Sequence, residues 1–242
     1  MEVDLEDLAA GYAHRPSSPA ALARAQRAAQ SVHLGKGDVA IDLGGGRGQH
    51  AAVWAERGAL ALVVDPARGM VQVAAQRKGV AAICAYSQNL PLSKGSVRLA
   101  YFHLSLHYGD WKAALDETRR VLSADGECWI WTMGEAHHRA SLLAKWFPSV
   151  GDIDAARFPE PQEVAGYLLA TTSNVEMGRE TETKVMPAGQ WRAAVAAKFV
   201  STLQLIPKDE FDRGLAGFDL AYPKETEMVE YNLTFDWLRV TA

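Results

Sequence analysis

The feature that most limits how this chain can fold is a glycine run set directly after a short apolar stretch. Val39-Ala40-Ile41-Asp42-Leu43 leads into Gly44-Gly45-Gly46-Arg47-Gly48. A short apolar run bounded by turn residues is the mark of a buried strand, most often in a parallel sheet. Glycines let the backbone turn sharply and let a ligand approach where a Cβ would stand in the way. The spacing predicts a helix immediately afterwards, over 49–57 with a stop at Gly58. Such a helix start offers free N–H groups to a carboxylate or phosphate.

The alternation persists along the chain. Ser18 before Pro19 reads as an N-cap with a first-turn proline, and predicts a helix at about 19–32. Strands are expected at 60–64, 80–84, 97–104 and 127–132, and helices at 68–78 and 110–122. Strand–helix–strand units with short glycine-punctuated joints imply an α/β fold with a parallel sheet covered on both faces. Beyond Gly134 the pattern loosens. Helices are expected near 136–146, 160–170, 189–203 and 207–217, with an alternating stretch at 174–185. A last strand at 227–240 places Tyr231, Leu233, Phe235 and Trp237 on alternate positions. No internal repeat or linker interrupts the 242 residues, so one domain is expected over 1–242. It would comprise N-terminal cap helices (1–37), a ligand-binding core (38–133) and substrate-side helices with the final strands (134–242).

Composition narrows the function. With 25 basic and 29 acidic side chains the formal charge is −4, a poor match to the basic surface that nucleic acid requires. Residues 150–242 hold 9 basic and 15 acidic side chains, so the acidity belongs to the tail. No uncharged apolar run approaches the roughly 18–20 residues of a membrane helix. The start, with Glu2, Asp4, Glu6 and Asp7, is the opposite of a basic signal peptide. Cys84 and Cys128 are too few for a disulfide framework, and no Cys/His spacing suits zinc. A cytoplasmic protein with a small-molecule substrate, no bound metal, no membrane or nucleic-acid partner, and a monomeric or homodimeric state is expected.

Two acidic residues flank the glycine loop in the expected sheet. Asp42 stands at the carboxyl end of the first strand. Asp65 ends the second, where a carboxylate can grip both hydroxyls of a ribose; alone, it would read as a helix cap. A dinucleotide fingerprint G-x-G-x-x-G begun at Gly44 fails at Gln49, whereas one begun at Gly46 runs through Gly48 to Ala51. His103 and His107 fall near the end of the fourth strand, where open α/β sheets place ligands. No G-x-S-x-G elbow or P-loop lysine is present.

Together these residues resemble the class I S-adenosylmethionine-dependent methyltransferases. The acidic residue followed by G-x-G-x-G matches Asp42, Gly44, Gly46 and Gly48. The strand-two acid matches Asp65, with Pro66 and Met70 after it. Asn89-Leu90-Pro91-Leu92 looks like the adenine-side loop, and Leu104-Ser105-Leu106-His107-Tyr108 like the segment closing strand four. Tyr12 with Arg15-Pro16 is similar to the N-terminal element of the trans-aconitate methyltransferase-like group.

The resemblance implies a Rossmann-like seven-stranded sheet, mostly parallel with an antiparallel last strand. It implies S-adenosylmethionine as cofactor, held by Asp42, Gly44, Gly45, Gly46, Gly48, His50, Asp65, Pro66, Met70, Ser87, Gln88, Asn89, Leu90, His103 and Leu104. His107 would be the base, and Tyr12, Arg15 and Tyr108 would meet the acceptor. Two positions depart from the family pattern: Tyr86 stands where an acid often binds the adenine amino group, and Arg98 stands where strand four often carries an acid.

The expected activity is methyl transfer to an O, N or C nucleophile of a small molecule. The alternatives are a structural or non-methylating use of the cofactor, and an NAD(P)-dependent oxidoreductase built on the Gly46–Gly48–Ala51 frame. Arg15, Arg47, Arg139 and Arg192 are the arginines available to a carboxylate acceptor. His137-His138 reads as a solvated pair, and Met186-Pro187 with Trp191 as either a lid or plain packing.

Overall fold

In a computed structural model of the chain, described over residues 3–11, 18–171 and 174–241, the apolar runs become strands as the pattern predicts. These are β1 (Val39–Leu43), β2 (Leu60–Asp65), β3 (Val80–Cys84), β4 (Val97–His103) and β5 (Leu122–Thr132). They pair in parallel, β1 with both β2 and β4, β2 with β3, and β4 with β5. β6 (Val175–Pro187) and β7 (Met228–Thr241) complete a seven-stranded sheet of order β3-β2-β1-β4-β5-β7-β6. β7 runs antiparallel to β5. Chain order reverses across β1 and β4, and in open α/β sheets the crevice at such a reversal is where ligands bind.

The chain divides into two compact units. The first comprises residues 18–132, 161–178 and 236–242. One face of its sheet presents Ile41, Leu43, Leu62, Val64, Phe102, Ile130 and Leu238. They bury against Ala114 and Leu115 of α5 (Trp111–Val121) and Val164 and Leu168 of α9 (Pro161–Leu169). The opposite face is aromatic and polar. Tyr101 meets Trp54 of α3 (Gln49–Ala55) edge-on at 5.5 Å, and Trp54 Nε1 donates to the Ala25 carbonyl of α2 (Pro19–Ser31) at 3.0 Å. Ser18 caps α2 by accepting the Ala21 N–H, as its place before Pro19 predicts. On the same face Trp129 and Trp131 are buried.

A partly buried ion pair joins β5 to β7. Arg239 presents Nε and Nη2 to the two oxygens of Glu127 at 3.0 and 2.5 Å, and Ser31 Oγ and Trp129 Nε1 lie 2.7 and 2.9 Å from Oε2. Burial alone would raise the Glu127 pKa. The hydrogen bonds of Arg239, Ser31 and Trp129 and the arginine's charge outweigh it and hold the carboxyl below its ordinary value. Cys128, facing the other side of β5, has its thiol pushed up to about 12 by burial. Both cysteines are free. Arg98 has a structural task, bonding the Val32 carbonyl at the end of α2.

The second unit comprises the described parts of residues 1–17, 133–160 and 179–235. Its core is Phe147, Met186, Trp191, Leu203, Phe218 and neighbours. Here Met186 and Trp191 are packing residues; Trp191 stacks on Phe218 at 4.1 Å between ring centroids. The helix expected near 136–146 is instead two, α6 (Glu135–Ala140) and α7 (Leu142–Trp146), because Ser141 is extended and caps α7 through the Ala144 N–H. A helix not expected, α8 (Ser149–Arg157), follows. The helix near 189–203 stops early, as α10 (Ala188–Ala196), before Lys198 at φ +50° and a 3-10 turn at Ser201–Gln204. α1 (Leu5–Gly11), α4 (Arg68–Ala75) and α11 (Lys208–Ala221) complete the elements.

His137 and His138 are not solvated. His138 is buried; its Nε2 donates to the Met133 carbonyl at 2.9 Å and its Nδ1 faces Asp154 Oδ2 at 3.7 Å. Burial lowers the His138 pKa and raises that of Asp154, each opposing the attraction between them. His137 Nδ1 accepts the Thr234 N–H at 3.2 Å. Among the described residues no helix is long and apolar enough to cross a membrane, and no His/Cys/Asp/Glu cluster is placed to hold a metal ion.

Candidate functional site

The loop after β1 is shaped by its neighbours. Gly44 packs on Ser105, whose Oγ donates to the Leu43 carbonyl at 2.5 Å and so ties the end of β1 to the loop after β4. A Cβ at Gly45 would stand 2.5 Å from Asp42 Cγ, so the middle glycine exists to let the Asp42 carboxylate lie against the loop backbone. Gly46 differs. Among the described residues a methyl there would meet only Met70 Sδ, at 3.7 Å, so none of them crowds the space beside Gly46. Replacing Gly45 by Ala therefore displaces a buried carboxylate, at a cost of about 1–3 kcal/mol for overpacking. We expect its urea midpoint to fall with an unchanged slope; an unmoved midpoint would show that Asp42 yields freely.

Asp65, at the end of β2, reaches back to the same loop. Its Oδ2 accepts the Gly46 N–H at 2.9 Å and its Oδ1 the Ala67 N–H at 2.9 Å. It is not the cap of α4, whose N-cap position is Ala67. As a carboxylate it accepts hydrogen bonds, the chemistry that a pair of hydroxyls needs. Asp42 is 1% exposed; its Oδ2 lies 3.2 Å from His50 Nδ1, and its Oδ1 is buried with no hydrogen-bond partner. Leaving such an acceptor unsatisfied costs about 1–3 kcal/mol, and a ligand's donor would relieve it.

Residues 41–130 match the family described as a methyltransferase domain. The fold is that of the class I methyltransferases. A methyltransferase assigned to an antibiotic biosynthesis pathway of Anabaena variabilis ATCC 29413 superposes with a TM-score of 0.69 at 22% identity, over 91% of this chain and 97% of that one. Geranyl diphosphate C-methyltransferase from Streptomyces coelicolor A3(2) gives 0.53 at 14% identity, over 90% and 74%. In sequence, 100 residues are 34% identical to the biotin biosynthesis bifunctional protein BioHC of Cellvibrio japonicus (strain Ueda107). That match takes in 39% of this chain, which spans only 19% of the length of BioHC.

On this methyltransferase fold, Asp42, the glycines, His50, Asp65 and Met70 come together around the loops after β1 and β2. His103 joins them from β4, its ring 4.9 Å from that of His50. Leu104 follows at φ +55°, a conformation costly for a side chain beyond Gly, with its N–H bonded to the Trp131 carbonyl. The loop after β3 is divided. Leu90 is packed into the core: its side chain is buried, Glu117 takes its N–H at 2.8 Å, and Arg120 binds its carbonyl at 3.2 Å. Asn89 and Tyr86 are exposed, Ser87 and Gln88 half-buried, and Gln88 Oε1 is a second buried acceptor without a partner. His107 and Tyr108 lie ring against ring at 4.1 Å.

Tyr12 and Arg15 lie outside the described residues. Two of the remaining arginines are already engaged by carboxylates, Arg139 by Glu135 and Asp152 and Arg192 by Asp219. Ser105, Glu117 and Arg120 were given no role from sequence. The last two read as an ordinary i,i+3 pair on the polar side of α5, and nothing local marks their reach to Leu90.

Proposed function

We propose that this chain is an S-adenosylmethionine-dependent methyltransferase acting on a small molecule. The observation that carries the reading is that the methyltransferase-domain match over 41–130 falls on residues with unmet bonding capacity suited to that ligand. Asp65, at the end of β2 beside the loop, is the carboxylate for the ribose hydroxyls, and Asp42 Oδ1 awaits a donor such as the ammonium of a methionine moiety. Gly46 leaves space for the chain between them, with Pro66 and Met70 alongside. Tyr86 offers no carboxylate for the adenine amino group, and the orphaned Gln88 Oε1 takes that task with Ser87 beside it.

The cofactor supplies an electrophilic methyl on a sulfonium. The chain's residues then have mainly to hold donor and acceptor in line, which needs no dedicated nucleophile. A base matters only for an acceptor that arrives protonated, and His107 and His103 are the imidazoles at the end of β4 for that role. The acceptor class is supported by the relatives, one named for geranyl diphosphate and one for antibiotic biosynthesis. The finer kinship, to the trans-aconitate methyltransferase-like group, rests on Tyr12 and Arg15-Pro16.

Calorimetry with S-adenosylmethionine and S-adenosylhomocysteine, followed by labelled-methyl transfer to a panel of carboxylic acids, phenols, amines and prenyl compounds, tests the reading. Binding of both ligands and label in one acceptor class are expected. Folded protein that binds neither at high micromolar concentration sinks it.

A further inference from the structure

We propose that His50 is a positioning residue that sets the affinity of the site for the amino-acid end of its ligand, by holding the buried Asp42 carboxylate in one orientation, and that it leaves the adenosine end untouched. This rests on the S-adenosylmethionine reading above. Asp42 ends β1 inside the sheet, where a carboxylate must find donors for both oxygens. Among the described residues one oxygen has a donor and the other has none: Oδ2 faces His50 Nδ1 at 3.2 Å, while Oδ1 is buried without a partner.

The carboxylate is confined on two sides. The loop backbone presses on it where Gly45 has no Cβ, and the imidazole of His50 holds the other flank. That imidazole is itself kept in place, edge-on to Tyr101 at 5.2 Å and against His103 at 4.9 Å. With Nδ1–H donating to Oδ2, Oδ1 is the oxygen left for a ligand's donor. An ammonium carries three N–H donors and the charge that a buried carboxylate favours. Adenine and ribose are served by other residues, Asp65 above all, and neither of its carboxylate oxygens bonds His50. His50 therefore acts on one end of the ligand only.

The test compares two ligands that differ in that end. S-adenosylhomocysteine carries the amino acid, and 5′-deoxy-5′-methylthioadenosine keeps adenine, ribose and sulfur without it. Dissociation constants are measured by calorimetry on the wild type, His50→Leu, His50→Asn and Asp42→Asn. Loss of one hydrogen bond to a charged group predicts about tenfold weaker S-adenosylhomocysteine binding by His50→Leu. His50→Asn, which keeps a side-chain N–H, should recover most of it, and Asp42→Asn should weaken the same ligand at least as much. Methylthioadenosine should bind all four proteins equally.

Equal weakening of both ligands would make His50 merely structural and overturn the proposal, as would unchanged S-adenosylhomocysteine affinity in His50→Leu. If His50→Leu does not fold, the His50→Asn and Asp42→Asn arms decide alone. A folded wild type that binds neither ligand overturns the cofactor reading itself.

Discussion

Asp65→Ala should weaken S-adenosylhomocysteine binding by about two to four orders of magnitude. Two hydroxyl-to-carboxylate hydrogen bonds, each about 1.5–3 kcal/mol when one partner is charged, set that size. The same change unlatches the glycine loop, because the Gly46 and Ala67 N–H groups lose the oxygens they reach at 2.9 Å. Both residues are buried, so a stability loss of about 1–3 kcal/mol accompanies the binding loss. Asp65→Asn separates the two effects, since one amide oxygen can still receive the Gly46 N–H. Its urea midpoint should sit nearer the wild type while its affinity stays low. Unchanged affinity in Asp65→Ala would reject the ribose assignment, and an unchanged midpoint would reject the latch.

Glu127→Gln should cost about 1–3 kcal/mol of stability, the size expected when hydrogen bonds to a charged, partly buried carboxylate are weakened. The amide keeps the volume but leaves Arg239 with the exposed Glu176 carboxylate, 3.4 Å away, in place of the Glu127 charge, and Trp129 Nε1 and Ser31 Oγ lose a charged acceptor. The pH dependence has a fixed sign. The folded-state pKa of Glu127 is depressed, so its contribution is fully present above the unfolded value of about 4.3 and is lost as pH falls through the lower folded value. The gap between wild type and Glu127→Gln in urea midpoint should therefore be wide at pH 7 and close below about pH 4.3. A gap that stays constant down to acid unfolding would show that the carboxylate's charge contributes nothing.

Much of the sheet was legible. β1 to β4 are short apolar runs punctuated by Gly44, Gly58, Gly79 and Gly95, each at positive φ, and a short apolar run is signal enough both for the buried β1, β2 and β4 and for the edge strand β3. The last strand was legible only in part. Alternation predicts one buried face through Tyr231, Leu233, Phe235 and Trp237. β7 buries Val229 and Phe235, then Asp236, Leu238 and Val240, so both parities are covered along its length. A period of two cannot assign a face to a strand packed on both sides.

α8 was illegible for a different reason: Ser149–Arg157 carries few apolar residues, with Val150 and Ile153 the largest, so no helical stripe shows. His137-His138 was misread because a histidine's burial depends on what the fold sets opposite it, here Met133, Asp154 and Thr234.

By itself the sequence determined the class of the fold and the place of the site. Chain-local signals suffice for both, namely apolar runs, glycine stops, and acids at strand ends. Only the tertiary structure decided how the site residues are held: Asp42 by His50 eight positions away, Gly46 by Asp65 nineteen away, and Leu43 by Ser105 sixty-two away. The reason is physical. A hydrogen bond is fixed by a distance near 3 Å and by direction, and those are set by strands that pair across the sheet, whereas spacing along a chain conveys only period.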